Sequence, residues 1–234
     1  MPLGVIINVA AVVLGGLLGS VIGGKLSNSF KGNMTMVFGF CAMTLGISSI
    51  VLMQNLSAVI IAVIFGSMIG LILNLDSLVR KGTAAVLGKL KIGAGEDSDL
   101  MQTAIVLFCI SGTGVYGTLV SGMTGDHSIL IAKSVLDFFT AMIFACQLKK
   151  AVCLVGVPQL IIFLLLFFSA KLIYPLTTDA MIGDFKAVGG VVLLATGFSI
   201  LKLKDIRVIN MIPTMVIAMP ISAFWTNVIL PLLS

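Results

Sequence analysis

Apolar runs of membrane-spanning length recur from one end of this chain to the other, and that recurrence restricts it to helices. In hydrocarbon every backbone N–H and C=O must find a partner inside the protein, and a helix supplies those partners from its own segment. A span takes about 20 predominantly apolar residues, range roughly 17–25. Eight segments qualify: 3–24, 34–53, 57–75, 101–121, 128–148, 151–174, 186–202 and 208–232. Charged side chains are 10% of the 234 residues and apolar ones 59%. A soluble domain carries about 25% charged residues, so this chain cannot cover itself with a water-facing surface. The expected fold is all-α and polytopic, a single transmembrane domain over residues 1–234 with the lipid bilayer around it. The same shortage of charge argues against a soluble enzyme or a nucleic-acid binder.

The net charge of +5 reads as topology. Lys25 and Lys31 follow span one. Arg80, Lys81, Lys89 and Lys91 follow span three, Lys149 and Lys150 span five, and Lys202, Lys204 and Arg207 span seven. These eleven fall on one side of an eight-span chain, the cytoplasmic side under the positive-inside rule. Both termini are then predicted outside. The opposite loops hold Lys186, with Lys171 nearby, and Asp126, Asp179 and Asp184. Tyr174 and Trp225 fall near outer span ends, as an aromatic belt expects. Met1–Gly24 lacks the basic start of a signal peptide and reads as an uncleaved first span. In the cytoplasmic loop 76–100, Leu75, Leu78, Val79, Val86, Leu87 and Leu90 alternate with Arg and Lys. This predicts a surface-lying amphipathic helix from Asp76 to Leu90, then a polar linker from Gly93 to Asp99.

Two ionisable residues, Lys133 and Asp137, interrupt the fifth span four residues apart, on one helical face. A charge at the bilayer centre costs roughly 2.5–3.5 kcal/mol on insertion scales, and such groups are paired, face a cavity or handle an ion. Span four is dense in glycine (Gly112, Gly114, Gly117, Gly122, Gly125), with Ser111, Thr113, Thr118 and Ser121 between. Each glycine costs roughly 1 kcal/mol against alanine in a helix, which predicts a broken or unwound helix. At 1.5 Å per residue, Ser111 to Gly114 and Asp137 lie about half the bilayer core from their respective ends, so they meet at one depth in a central hairpin, 101–150. A carboxylate there, beside exposed backbone, fits a cation or proton site; free amides fit an anion.

The chain ends resemble each other, residues 1–75 against 151–234. GVIINVAAVVL from Gly4 compares with GVPQLIIFLLL from Gly156. At an offset of 151, Val37, Gly39, Gly46 and Ser48 fall on Val188, Gly190, Gly197 and Ser199. At 152, Ala62, Gly66 and Gly70 fall on Thr214, Ala218 and Ser222. Spans one to three thus match six to eight across five spans, an odd number, so the copies run oppositely through the membrane. Inverted repeats mark secondary transporters and some channels. Ala11, Gly15, Gly19 and Gly23 form a stripe of small residues on span one, a packing face and a candidate homodimer face. Span six carries Phe163, Phe167 and Phe168 instead and is expected to face lipid more.

Several residues have bland readings beside the functional ones. Lys133–Asp137 would serve as a neutralising ion pair. Asn8 would hydrogen-bond between helices, and Asp126 would cap span five. His127 is expected near the surface. Pro158 fits a first turn, while Pro213 and Pro220 would bend span eight. None of Cys41, Cys109, Cys146 and Cys153 stands in a metal-binding spacing, so no metal or cofactor is expected.

The GVIINVAAVVLGGLLG start and the SGMTGDHSILIAKSVLDFFTAMIFA block resemble the YdfK/YqgA-type bacterial inner-membrane proteins over the whole chain. The most specific part is Gly125 to Asp137. The resemblance implies a bacterial plasma membrane and marks Asn8, Asp126, Lys133, Ser134 and Asp137 as characteristic, without assigning them roles or naming a substrate.

The functional expectation is a secondary transporter of a small solute coupled to H⁺ or Na⁺. Asp137 is the coupling carboxylate, Lys133 its partner, and Ser111, Gly112, Thr113 and Gly114 the substrate-contacting backbone; Ser134, Asn8 and Asp126 complete the candidate site. The alternatives are an oligomeric channel and a non-transporting scaffold or sensor that binds a partner through 76–92. A membrane enzyme finds no nucleophile–base set.

Overall fold

The computed structural model describes residues 1–22, 27–90, 98–204 and 206–233. Gly23, Lys25, Lys91 and linker residues 93–97 fall outside them, as do the side chains of Val86, Leu87, Lys89 and Leu90. Every element among the described residues is helical: α1 Leu3–Ile22, α2 Asn28–Ile50, α3 Leu56–Ile72, α4 Leu75–Leu90, α5 Ser98–Cys109, α6 Gly112–Thr124, α7 Ser128–Leu148, α8 Gly156–Ile173, α9 Asp179–Ile200, α10 Ile212–Phe224 and α11 Leu230–Leu233. Six helical stretches among them are long and apolar enough to cross a membrane, or seven if the bent pair Leu56–Ile72 and Leu75–Ala85 counts as one. That pair turns by 51° at Asn74, whose φ of 47° takes the chain out of the helical path. The amphipathic segment is therefore a helix of its own, α4.

Two compact units form. The first holds Met1–Val37 and Ser77–Leu172, the second Phe38–Asp76 and Ile173–Ser234. Each is assembled from two segments that are separate in sequence.

In the first unit α1 runs parallel to α7. Gly15 abuts the Phe138 backbone and Gly19 that of Met142, where a Cβ would collide. The small-residue stripe predicted on span one thus packs against α7 within the chain. Gly16 meets Val152 and Cys153 in the 3₁₀ turn Lys149–Val155 that joins α7 to α8. A core of Val12, Phe108, Ala141, Ala145, Val152 and Val155 lies between these elements. Span six departs from expectation: Phe163 and Phe167 are buried, filling the space over Gly114 and Gly122 of α6. Its opposite face, Ile161, Leu165 and Phe168, stays exposed.

In the second unit, glycines again set the approach. A Cβ on Gly46 would stand 2.7 Å from the Gly190 carbonyl oxygen, and one on Gly190 2.6 Å from that of Gly46. Gly39 and Gly197 are paired likewise, so α2 crosses α9 antiparallel. Gly66 of α3 presses on Thr214 of α10, and Gly70 on Asn210 in the 3₁₀ turn Val208–Met211 that precedes it. Pro220 sits inside α10, where its missing N–H removes one helical bond, and a π-helical turn, Trp225–Ile229, follows the helix.

Candidate functional site

The fifth apolar segment does form one helix, α7, so Lys133 and Asp137 are one turn apart. Lys133 Nζ donates to Asp137 Oδ2 at 2.5 Å, with both residues buried. Asn8 lies on the same face of α1 as Gly15, seven residues on, and the glycine contact brings it against α7. Its Nδ2 donates to the same Asp137 oxygen at 2.9 Å. Asn8 Oδ1 in turn accepts Gln159 Nε2 from α8 at 2.8 Å. Because Asn8 must give its N–H₂ to a carboxylate, its oxygen faces Gln159, and this fixes the orientation of the Gln159 amide.

The helix break supplies the next partner. α5 ends at Cys109, and Ser111 caps α6, its hydroxyl accepting the Gly114 N–H at 3.1 Å. The last carbonyls of α5 thereby lose their helical donors. The Phe108 carbonyl oxygen takes a long 3.4 Å bond from Gln159 Nε2 instead. Lys133, Asp137, Asn8, Gln159 and Phe108 form one chain of hydrogen bonds through α7, α1, α8 and the α5 terminus.

The break is confined to Ile110 and Ser111. The expected break in this glycine-rich span is thus present but shorter, ending before Gly112 instead of running from Ser111 to Gly114. Gly112 to Thr124 form a continuous helix, because Gly114 admits Phe163 and the Lys133 stem, Gly117 admits Ile129 and Leu130, and Gly122 admits the Phe167 backbone. Packing there outweighs propensity. Gly125 closes α6 at φ 74°, the left-handed conformation open to glycine.

The predicted site residues divide accordingly. Asn8, Lys133 and Asp137 are joined directly. Gly112, Thr113 and Gly114 are buried, and Gly114 touches Lys133. Ser111 and the Gly114 N–H are engaged in capping. Ser134 does not reach the cluster, since its hydroxyl donates to the Leu130 carbonyl of its own helix at 2.6 Å. Asp126 accepts the Ser128 N–H at 3.0 Å, one residue ahead of the α7 N-cap, which is His127 and makes no side-chain cap bond. His127 is half-buried, with Nδ1 2.7 Å from the Ser121 hydroxyl.

Gln159 was not among the expected residues. Aligning the copies on Gly4 and Gly156 sets Asn8 against Leu160. The 151-residue offset that fits the second helices sets it against Gln159.

Asp184 is a second omission, expected in an outer loop. Thr178 caps α9 and starts it early, which puts Asp184 inside the helix and buries it. Its Oδ1 accepts the Gln54 and Asn55 backbone N–H groups at 2.9 and 2.8 Å. Its Oδ2 accepts Asn55 Nδ2 at 2.9 Å and the Ser222 hydroxyl at 2.6 Å. This carboxylate ties the α2–α3 turn to α9 and α10 within the second unit, with four neutral donors on its two oxygens.

A family model described as "Protein of unknown function (DUF554)" matches residues 3–223. An Escherichia coli K12 protein, "Uncharacterized protein YqgA", is 46% identical over 231 residues, 97% of this chain and 98% of its own. A Bacillus subtilis protein, "Uncharacterized membrane protein YdfK", is 25% identical over 224 residues, 92% and 93% of the respective chains. No solved structure matches.

Proposed function

This chain belongs to the DUF554 family of proteins of unknown function, and we propose that it is a secondary transporter of a small solute or ion in a bacterial plasma membrane. The observation that carries the reading is the buried Lys133–Asp137 pair, wired through Asn8 and Gln159 to a carbonyl at a helix break. Charges inside membrane segments mark ion and substrate paths, and broken helices hold them in transporters.

Eight spans accommodate the helices. The apolar stretch Ser128–Leu176 has 49 residues, about 74 Å as one helix, more than twice the hydrocarbon core of about 30 Å. It therefore counts as two spans, α7 and α8. With α3 as a span and α4 at the interface, α5 with α6 make one span and α10 with α11 another. Both termini then lie outside.

The inverted repeat draws support from contacts within each unit. Shifting Gly39 forward by 151 and Gly197 back by 151 turns their contact into the Gly190–Gly46 contact. The Asn8–Gln159 bond maps onto itself under the same exchange. Such self-mapping is what a two-fold relation between the copies requires. Two inverted copies exchange conformations to open the site to alternate sides.

The test is uptake of radiolabelled amino acids and small organic acids into proteoliposomes under an inward H⁺ or Na⁺ gradient. Gradient-driven accumulation that Asp137→Asn removes is the expected result. Steady, unsaturable single-channel currents would replace the transporter with a channel, and absence of any flux would overturn the reading.

A further inference from the structure

We propose that the oxygens around Asp137 form a site for a small monovalent cation of sodium or lithium type, and that the Lys133 ammonium is its built-in competitor. The inference rests on the transport reading of this network and adds the ligand.

Three oxygens there are open to a cation: Gln159 Oε1 and the Phe108 carbonyl are under-used, and Asp137 Oδ2 is held by an ammonium that can be displaced. Asp137 receives both Lys133 and Asn8 on Oδ2. Gln159 is fully buried, yet its Oε1 has no hydrogen-bond partner among the described residues. The orientation forced by Asn8 makes that atom an acceptor, and buried acceptors are rarely left so. Among the described residues, the Phe108 carbonyl oxygen, cut loose by the helix break, has only the 3.4 Å bond from Gln159, beyond the usual N–H···O range. All three belong to residues linked by consecutive hydrogen bonds.

Oxygen-only donor sets suit hard cations. One carboxylate among neutral oxygens balances a single positive charge; divalent calcium takes more oxygens and more carboxylates. Lys133 holds that charge in the structure. Gly114 of α6 packs on its stem, and the one hydrogen bond its ammonium makes among the described residues is to Asp137. When a cation takes Asp137 Oδ2, Gln159 Oε1 and the Phe108 oxygen, the ammonium retreats toward the Phe108 ring. The ring centroid already lies 6.0 Å from Nζ, within cation–π range. Cation and ammonium thus compete for the single carboxylate of the cluster.

The experiment is equilibrium binding of radioactive sodium to purified full-length protein in detergent, with lithium, potassium and choline chlorides as competitors. Saturable sodium binding displaced by lithium but not choline is expected. Asp137→Asn should abolish it. Gln159→Met should raise the half-saturating concentration about tenfold, the worth of one neutral ligand. Lys133→Gln should lower that concentration by removing the competitor. Should a variant fail to fold, the wild-type displacement series decides alone. Absence of saturable sodium binding, or binding equally displaced by choline, overturns the cation site. Gradient-driven solute flux without sodium binding would retain the transport reading while removing this one. Specific sodium binding without any flux would do the reverse.

Discussion

Gln159 follows Asn8 by 151 residues, and the two buried amides are hydrogen-bonded to each other at 2.8 Å. One of them holds Asp137 and the other holds the carbonyl at the end of α5. The polar centre of the first unit is therefore built from one amide on each of two apolar helices, α1 and α8. Neither residue is charged, and each is the sole amide of its helix.

Removing one partner of the ion pair leaves an uncompensated buried charge. Asp137→Leu or Lys133→Met alone should lower stability by about 3–5 kcal/mol, whereas the double substitution should lose much less than the sum. Denaturant titration of the four proteins in detergent checks this; full additivity would mean that the two groups do not interact.

Glycine at position 15 is required by a backbone and glycine at 32 is not. A methyl on Gly15 would meet the Phe138 carbonyl, while one on Gly32 meets nothing within 4 Å. Gly15→Ala should destabilise by about 1–3 kcal/mol, and Gly32→Ala should be neutral or stabilising by about 0.4–1 kcal/mol. Comparing thermal midpoints tests both signs at once.

Asp184→Ala strips the partners from the Gln54 and Asn55 N–H groups and from Ser222. A buried donor left unsatisfied costs about 1–3 kcal/mol. The variant should unfold earlier, and amide hydrogen exchange should rise over residues 53–56 while α6 and α7 keep their protection. Unchanged exchange there would show that the turn does not depend on the carboxylate.

The eight-span reading places the carboxyl end outside. An alkaline phosphatase fused after Ser234 should be active in an expressing bacterium, and one fused after Lys204 inactive. Activity in the reverse order would invert the topology.

The helices were legible because burial in lipid leaves a long apolar run no other structure. Lys133, Asp137 and Asn8 stood out for the same reason, as polar groups where each has to be explained. Gln159 was hidden by an alignment choice of one residue. Asp184 was hidden by its neighbours: Asp179, Lys186 and the turn residues Thr177 and Thr178 make that stretch read as a loop, and only the Thr178 cap carries the helix far enough to bury it. The run of glycines in α6 misled in another way. Propensity counts what each glycine costs a lone helix, and the groups that press on Gly114 and Gly122, the Phe163 ring and the Phe167 backbone, come from α8, some fifty residues further along.

The parallel pairing of α1 with α7 has a consequence for the birth of the protein. Phe138, which seats against Gly15, is made about 120 residues later, at 5–20 residues per second roughly 6–25 s after it. For that interval the glycine face of α1 and the amide of Asn8 have no final partner, and the nascent helix must rest against lipid or the insertion machinery. Lys133 and Asp137, one turn apart on α7, then reach the amide of Asn8 together.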